Sequence, residues 1–145
     1  VFFADSFLTP FTAFLTTLGV VIAAWGGVML ADIALRRKDY DEPSLFTPSG
    51  RYGSVNWGAV ASLIVGSLVG WGLVVNASAS WLSWQGYLLG PLGGRNGDWA
   101  GANIGILLAM VVGFVGYWAT SAGRVRAQEK LPSRTYAEGA EEGAQ

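Results

Sequence analysis

The sequence predicts an all-α membrane protein with three transmembrane helices. Three long apolar runs lie in a chain of 145 residues that is 52% hydrophobic and only 13% charged. The charged residues collect mostly between and after these runs. A soluble helical domain could share the average composition, but it would not separate its charges from its apolar segments so completely.

The first predicted helix covers residues 11–35 and follows an extracytoplasmic edge at residues 1–10. A helix of that length, at about 1.5 Å per residue, crosses the roughly 30 Å hydrocarbon core of a bilayer. Thr9 and Pro10 suit the N-cap and the first helical position. The basic triplet at residues 36–38 complements the negative end of the helix dipole, so the sequence predicts both ends of this helix.

The second and third predicted helices cover residues 57–75 and 99–122, and neither run contains a charged side chain. Asn56 and Asp98 directly precede them. Short polar side chains of this kind commonly cap the first turn of a helix, so we expect the two residues to be N-caps.

The placement of Lys and Arg predicts the orientation of the chain, because these residues are retained on the cytoplasmic side of a membrane when they lie next to a span. Four of them lie in the segment 36–56 and four in the segment 123–145, whereas the segment 76–98 holds only Arg95. We therefore expect a cytoplasmic loop at 36–56, an extracytoplasmic loop at 76–98 and a cytoplasmic C-terminal tail at 123–145. The tail has few apolar residues to bury and is expected to be disordered.

Small residues four apart recur on one face of each predicted helix, a spacing that lets neighbouring backbones approach closely. In the first helix the pattern runs through Gly19, Ala23, Gly27 and Ala31. The residues that we assign to helix packing are Ala23, Gly27, Gly58, Ser62, Gly66, Gly70, Gly105, Ala109 and Gly113. Three helices offer few partners for so many small faces, and the chain starts at Val1 without the features of a signal peptide, so we expect a fragment of a larger bundle.

Several functions are disfavoured by residues that the sequence lacks. There is no His and no Cys, so the usual ligands of haem, iron–sulfur, zinc and copper centres are missing, as are the usual nucleophilic sites. No paired carboxylates lie within a predicted span. We expect a protein that is not an enzyme, with no metal site, no cofactor in this chain and no nucleic-acid partner.

Two polar residues inside the predicted spans need a partner, because polar groups are costly in lipid. Asp32 lies one helical turn before Arg36, near the cytoplasmic end, where a local ion pair or snorkelling of the side chain to water would satisfy it; a role in gating or ion passage is the alternative. Asn103 lies early in the third predicted helix and is expected to form a hydrogen bond to a neighbouring helix.

A series of short motifs resembles a known family. In order they are Leu18-Gly19, Gly27-Val28, Leu30-Ala31-Asp32, Arg36-Arg37, Tyr40-Asp41, Arg51-Tyr52, Val55-Asn56-Trp57, Gly86-Tyr87-Leu88, Gly90-Pro91 and Ala102-Asn103-Ile104-Gly105. This order is similar to that of the C-terminal part of the nucleobase:cation symporter-1 family, the purine, cytosine and allantoin permeases. The resemblance covers roughly residues 11–122.

The resemblance implies that the chain is the last three helices of a twelve-helix transporter of the plasma membrane with a five-plus-five inverted repeat. Such proteins import a nucleobase with Na⁺ or H⁺ by alternating access. Their substrate and cation sites lie on helices outside this chain, so the partners would be the lipid bilayer, the other helices and the substrate.

In the same family, the helix that corresponds to residues 11–35 is the tenth, and its bending acts as an extracellular gate. The candidate gate residues are Leu15, Leu18, Gly19 and Ile22. The last two helices, at 57–75 and 99–122, would serve packing or assembly.

Two other functions fit the residues. One is a stand-alone membrane scaffold or accessory subunit with three spans and no transport of its own. The other is a piece of a different transporter with the same helical architecture, which carries amino acids or sugars.

Overall fold

The computed structural model describes residues 2–40, 45–46, 52–53, 55–76 and 79–131, with side chains from Phe7 onward. Within these residues the chain is helical and contains no strand. The expected motif residues Asp41 and Arg51 and the tail beyond Leu131 lie outside the described residues.

Among the described residues three long α-helices form a bundle: α1 (Phe2–Leu35), α2 (Trp57–Gly72) and α3 (Ile104–Glu129). Three short 3-10 segments lie between α2 and α3, at Ser80–Leu82, Gly90–Leu92 and Gly94–Asn96. Two helical stretches, Phe7–Leu35 and Ile104–Glu129, are long and apolar enough to cross a membrane, and α2 is shorter.

The first helix begins at Phe2 and passes through Pro10. The prediction that Thr9 is its N-cap was therefore wrong. Proline removes one backbone hydrogen bond from a helix interior. Membrane helices tolerate this loss because neighbouring helices, Ser and Thr side chains or local adjustments of the helix satisfy the freed backbone groups. The Thr12 hydroxyl also donates to Leu8 O at 2.9 Å, close to the proline.

The second helix begins at the predicted residue, and Asn56 is its N-cap: its side-chain oxygen accepts from Gly58 N and Ala59 N. It ends at Gly72, although the prediction extended it to residue 75. The loop that follows explains the early end. Trp71 O accepts from Gly86 N at 2.9 Å and Gly72 O from Leu88 N at 2.8 Å, so the last carbonyls are satisfied by the loop rather than by another helical turn.

The third helix is displaced toward the C-terminus relative to the prediction. It begins at Ile104, so Asp98 is not its N-cap, and Asn103 precedes it in a left-handed conformation with φ of 49°. Asn103 therefore lies outside the helix and is exposed, rather than within a span. The helix ends at Glu129 instead of residue 122, because contacts with the end of α1 hold its last two turns.

The core lies where the three helices approach each other through small residues. Val20, Ala24 and Ala31 of α1 are fully buried, as is Ala109 of α3. α1 and α3 run parallel, because Arg36 at the end of α1 reaches Gln128 near the end of α3. α2 runs antiparallel to α3, since Gly58 near its start meets Thr120 and Gly70 near its end meets Gly105. The α1–α3 contact is the most extensive, and α3 also packs along α2.

Candidate functional site

A cluster of polar side chains joins the three helices at the C-terminal ends of α1 and α3. Its centre is the predicted ion pair, which the structure confirms: Arg36 Nε lies 2.8 Å from Asp32 Oδ2. The side chains of Arg36 and Asp32 expose only 12% and 13% of their surface. An ion pair so far removed from water needs further partners to remain charged.

Hydrogen bonds from other elements supply those partners. The hydroxyl of Tyr40 donates to Asp32 Oδ2, and the hydroxyl of Tyr117 on α3 donates to Asp32 Oδ1. Arg36 donates through both terminal nitrogens to Gln128 Oε1, at 3.4 Å each. The carboxylate and the guanidinium are thus each bound to α3 as well as to each other.

The N-cap of α2 is bound to the same network. Asn56 Nδ2 donates to the Tyr117 hydroxyl and to Ser121 Oγ, at 3.4 Å each, while its oxygen caps α2. A single side chain therefore connects the start of α2 to α3 and, through Tyr117, to Asp32. We call Asp32, Arg36, Tyr40, Asn56, Tyr117 and Gln128 the Asp32 cluster.

Aromatic rings cover the guanidinium of this cluster. Arg36 Cζ lies 4.6 Å from the ring centroid of Tyr40 and 5.2 Å from that of Tyr52, within the range of cation–π attraction. Burial acts to lower the pKa of Arg36, but the hydrogen bond and the charge of Asp32, together with Tyr40, outweigh it and the pKa is raised. Arg36 is therefore a permanent cation in this network.

The Asp32 cluster borders a cavity of about 380 Å³ between the helices. Its central carboxylate and guanidinium are already engaged with each other and with α3. Among the described residues no group of His, Cys, Asp or Glu could hold a metal ion. The arrangement suits a clamp between helices better than a catalytic centre, which needs a free acid, base or nucleophile.

A second polar cluster joins α1 to α2 and its following loop near the other end of the bundle. Trp71 Nε1 donates to Thr17 O at 3.0 Å, and Asn76 Nδ2 donates to Ala13 O at 2.8 Å. Gln85 Nε2 donates to Thr17 Oγ1 at 3.0 Å. We call these five residues the Thr17 cluster; it contains no charged group.

One atom of the Thr17 cluster has no partner. Gln85 is 1% exposed, and its Oε1 is the one buried side-chain oxygen or nitrogen in the described part of the chain without a hydrogen bond. An unpaired buried acceptor is costly, so this end of the bundle is less completely satisfied than the Asp32 cluster.

The candidate gate residues lie on the side of α1 that faces away from α2 and α3. Leu15, Leu18 and Ile22 are exposed. Gly19 has nothing within 4 Å of the position of a Cβ atom. The structure brings these four residues together along one apolar face, which has no partner among the described residues.

The predicted packing residues of α2 and α3 face each other. A methyl group on Gly66 would lie 2.9 Å from Ala109 O, one on Gly58 would lie 2.9 Å from Thr120 Oγ1, and one on Gly105 would overlap Gly70 O. Ser62 is buried, and its hydroxyl donates to Gly58 O at 2.7 Å.

In α1 the face that packs against α3 is rotated relative to the predicted stripe of small residues, which ran through Ala23 and Gly27. A methyl group on Gly27 would overlap Met110 O, so Gly27 lies in close contact with α3. The other close approach is made by Ala24, whose carbonyl faces Gly113, whereas Ala23 is only partly buried. A spacing of four residues drifts around a helix of 3.6 residues per turn, which explains why Gly19 at the far end of the pattern is in open space.

Comparison with known proteins identifies the family. The sequence profile of a family described as permease for cytosine/purines, uracil, thiamine, allantoin matches residues 3–90, which is more than half of the chain. The chain belongs to this permease family. The match confirms the resemblance predicted from the motifs, and it indicates a transporter rather than an enzyme. No curated protein and no solved structure gave a match.

The matched residues of this permease include α1, α2 and much of both polar clusters. Asp32, Arg36, Tyr40 and Asn56 all come from the matched segment and are also residues of the quoted motifs. Their partners on α3 lie beyond residue 90. The motif order thus predicted part of the Asp32 cluster, although nothing in it pointed to Tyr117 or Gln128.

Sequence reasoning missed those two α3 residues because each lies in a stretch with an ordinary explanation. Tyr117 is one of several aromatic residues in an apolar run, and Gln128 was assigned to a disordered tail. A usable signal was present: residues 117, 121, 125 and 128 share one helical face, and three of these four, Tyr, Ser and Gln, carry polar groups.

Proposed function

We propose that this chain is the last three helices of a twelve-helix permease with a five-plus-five inverted repeat. The permease would import a nucleobase or related compound of the cytosine, purine or allantoin type with Na⁺ or H⁺. The family match supports a transporter for substrates of this class. In this proposal the partners of the chain are the bilayer, the other helices of the transporter and its substrate; nucleic acid is not among them.

One observation carries the proposal furthest: the long apolar face of α1 that α2 and α3 leave uncovered. Leu18 is 41% exposed and Ile22 56% exposed, and the exposed apolar surface continues toward Trp25 and Ile33. In the full transporter this face would lie against the remaining helices, where Leu15, Leu18, Gly19 and Ile22 would form the gate above the substrate site.

The two polar clusters suit different roles in such a transport mechanism. The Asp32 cluster binds α1 to both other helices and would keep one half of α1 fixed during transport. The Thr17 cluster binds the other half through uncharged hydrogen bonds, which exchange at lower cost. Gly26 has open space around it and lies between the clusters, where a bend of α1 would be sterically permitted.

The orientation in this proposal places the Asp32 end of the bundle in the cytoplasm, in the plasma membrane. Arg37, Lys38 and Arg126 all lie at this end, next to the ends of α1 and α3, whereas Arg95 lies in the loop at the opposite end. This asymmetry is the one that the positive-inside rule associates with the cytoplasmic side.

Uptake of labelled cytosine by cells that express the full gene and lack their own nucleobase permeases tests the proposal. Competition by hypoxanthine, allantoin and uracil identifies the substrate class, since only a true substrate analogue competes. Replacement of Na⁺ by choline and addition of a protonophore identify the coupling ion. Absence of uptake and of competition for every compound would contradict the proposal.

A matched pair of substitutions tests the gate. Ile22→Trp adds bulk on the exposed face of α1, and Leu107→Trp adds bulk at a similarly exposed position of α3. We expect Ile22→Trp to lower uptake at unchanged expression and Leu107→Trp to leave it near the wild-type level. Equal uptake by both variants would contradict a gate at this position.

A further inference from the structure

A groove lined by several cations lies between the C-terminal ends of α1 and α3. It lies on the opposite face of these two helices from the Asp32 cluster. Its volume is about 490 Å³. Arg37 and Lys38 line it from the segment after α1, and Arg126 and Lys130 line it from the end of α3. The ring of Trp118 and the side chains of Ala34 and Leu35 form its apolar wall.

The single carboxylate in the groove, that of Glu129, cannot balance the charge of four cations. Glu129 Oε1 accepts from the backbone N–H groups of Arg37 and Lys38, and Lys38 Nζ donates to the carbonyl oxygen of Glu129 at 2.8 Å. The charged groups of Arg37, Arg126 and Lys130 have no hydrogen bond or ion pair within the described residues. The groove therefore keeps a net positive charge, and the Glu129 carboxylate is already bound to backbone N–H groups.

The apolar wall of the groove continues along the helices away from the charged end. Leu30 lies one turn before Ala34 on α1, and Val115 lies one turn before Trp118 on α3, and both are exposed. Trp118 stacks on Phe114 with ring centroids 5.7 Å apart, which holds the indole in place. Trp118 lies about two turns before Arg126 on α3, so its ring belongs to the apolar wall next to the cations.

We propose that this groove binds an anionic phospholipid, with its headgroup phosphate on Arg37, Arg126 and Lys130 and its acyl chains along Leu30 and Val115. Guanidinium groups bind phosphate oxygens in pairs, and basic pockets between membrane helices are suited to lipid headgroups. A free phosphate would use the cations but gain nothing from the apolar wall, so the combination favours a lipid. The inference depends on insertion of the chain in a membrane and is independent of the transported substrate.

Native mass spectrometry of the purified full-length permease tests this site, with phosphatidylglycerol and phosphatidylcholine offered in exchange. We expect the wild-type protein to retain phosphatidylglycerol preferentially and to lose that preference at high salt. Each cation near the membrane surface contributes about fivefold in affinity, so Arg37→Gln, Arg126→Gln and Lys130→Gln together should lower phosphatidylglycerol binding by about a hundredfold. Phosphatidylcholine binding should not change.

Two variants serve as controls. Arg95→Gln removes an exposed cation from the opposite end of the bundle and should leave phosphatidylglycerol binding unchanged. Arg126→Lys keeps the charge and should retain most of the binding. If the triple variant does not fold, the salt dependence of the wild-type protein and the single variant Arg126→Gln still decide the question.

Three results would overturn the proposal. The first is equal retention of both lipids by the wild-type protein. The second is undiminished phosphatidylglycerol binding in the folded triple variant. The third is displacement of the lipid by inorganic phosphate at the same residues, which would assign the groove to a soluble anion instead.

Discussion

The two polar clusters bind α1 at different heights of the bundle, and they do so with different chemistry. The Asp32 cluster is built on an ion pair, and its carboxylate accepts from Arg36, Tyr40 and Tyr117. The Thr17 cluster is built on neutral donors, and it leaves Gln85 Oε1 without a partner. Hydrogen bonds to charged groups are roughly twice as strong as neutral ones.

The clusters also differ in what they connect. The Asp32 cluster ties α1 to α3 through Tyr117 and to α2 through Asn56. The Thr17 cluster ties α1 only to α2 and the loop after it. Hydrogen bonds therefore tie one half of α1 to both neighbouring helices, whereas those in the half that bears the candidate gate reach only α2 and the loop after it. If α1 moves during transport, this difference predicts that the Thr17 end is the one released.

Removal of the charge at the Asp32 end should have the largest effect. Asp32→Asn keeps the size of the side chain but leaves the largely buried Arg36 guanidinium without a counter-charge. Breaking such a pair should lower the free energy of unfolding by about 2 to 3 kcal/mol. The midpoint of thermal unfolding of the purified full-length permease measures it.

Asp39→Asn is the matched control, because Asp39 is exposed in the segment after α1. It should leave the unfolding midpoint within the error of the wild-type value. If Asp32→Asn were equally harmless, the Asp32 cluster would not be the stronger of the two attachments, and the comparison between the ends would fail.

The next largest effect on the free energy of unfolding is expected at Gly27, where α1 contacts α3 at a position between the two clusters. Gly27→Ala places a methyl group against Met110 O, so α1 must move away from α3 or strain its backbone. Overpacking of this kind should cost about 1 to 3 kcal/mol. Gly19→Ala is the control, since open space surrounds Gly19 and alanine is the better helix former. Equal unfolding midpoints for the two variants would show that the α1–α3 contact does not hold the clusters in register.

The Thr17 end should respond more weakly, and in a manner that depends on which partner is removed. Thr17→Val takes away the acceptor of Gln85 Nε2 and leaves a buried amide without a partner, which should cost about 1 to 2 kcal/mol. Gln85→Met removes the donor together with the unpaired Oε1 and should change the free energy of unfolding by less than about 1 kcal/mol. Denaturant unfolding of both variants measures the order, and a larger loss for Gln85→Met would show that Gln85 Oε1 has a partner in the full permease.

The sequence predicted the elements that depend on local chemistry. The apolar runs follow from the composition of continuous segments, and the Asn56 N-cap and the Asp32–Arg36 pair follow from contacts between residues at most four positions apart. The wrong boundaries have a different origin. α2 ends at Gly72 because the backbone N–H of Leu88, 16 residues further along in the loop that follows, donates to the Gly72 carbonyl oxygen, and no signal near Gly72 marks that contact.

Only the part of the Asp32 cluster that precedes α3 was predictable, because its other residues are brought in by contacts between distant parts of the chain. Asp32, Arg36 and Asn56 lie in recognisable motifs, but the residues that complete their hydrogen bonds come from α3. Gln128 lies 92 positions after Arg36. Such a partner is fixed by how the helices pack, and that packing depends on close contacts such as Gly27 against Met110 O.

The smallest expected effect is that of Tyr40→Phe, and its pH dependence sharpens the contrast between the charged and the neutral cluster. Partial burial raises the pKa of the Tyr40 phenol, and the Asp32 carboxylate raises it further. The contribution of Tyr40 is therefore fully present below its unfolded pKa of about 10 and is lost as the pH rises through the higher folded value. Tyr40→Phe should lower the free energy of unfolding by less than about 1 kcal/mol at neutral pH, because the ring is partly exposed. The unfolding midpoints of the two proteins should converge as the pH rises beyond about 10. A constant difference across that range would mean that the phenol is not bound to a charged group, and that Asp32 is held by Arg36 and Tyr117 alone.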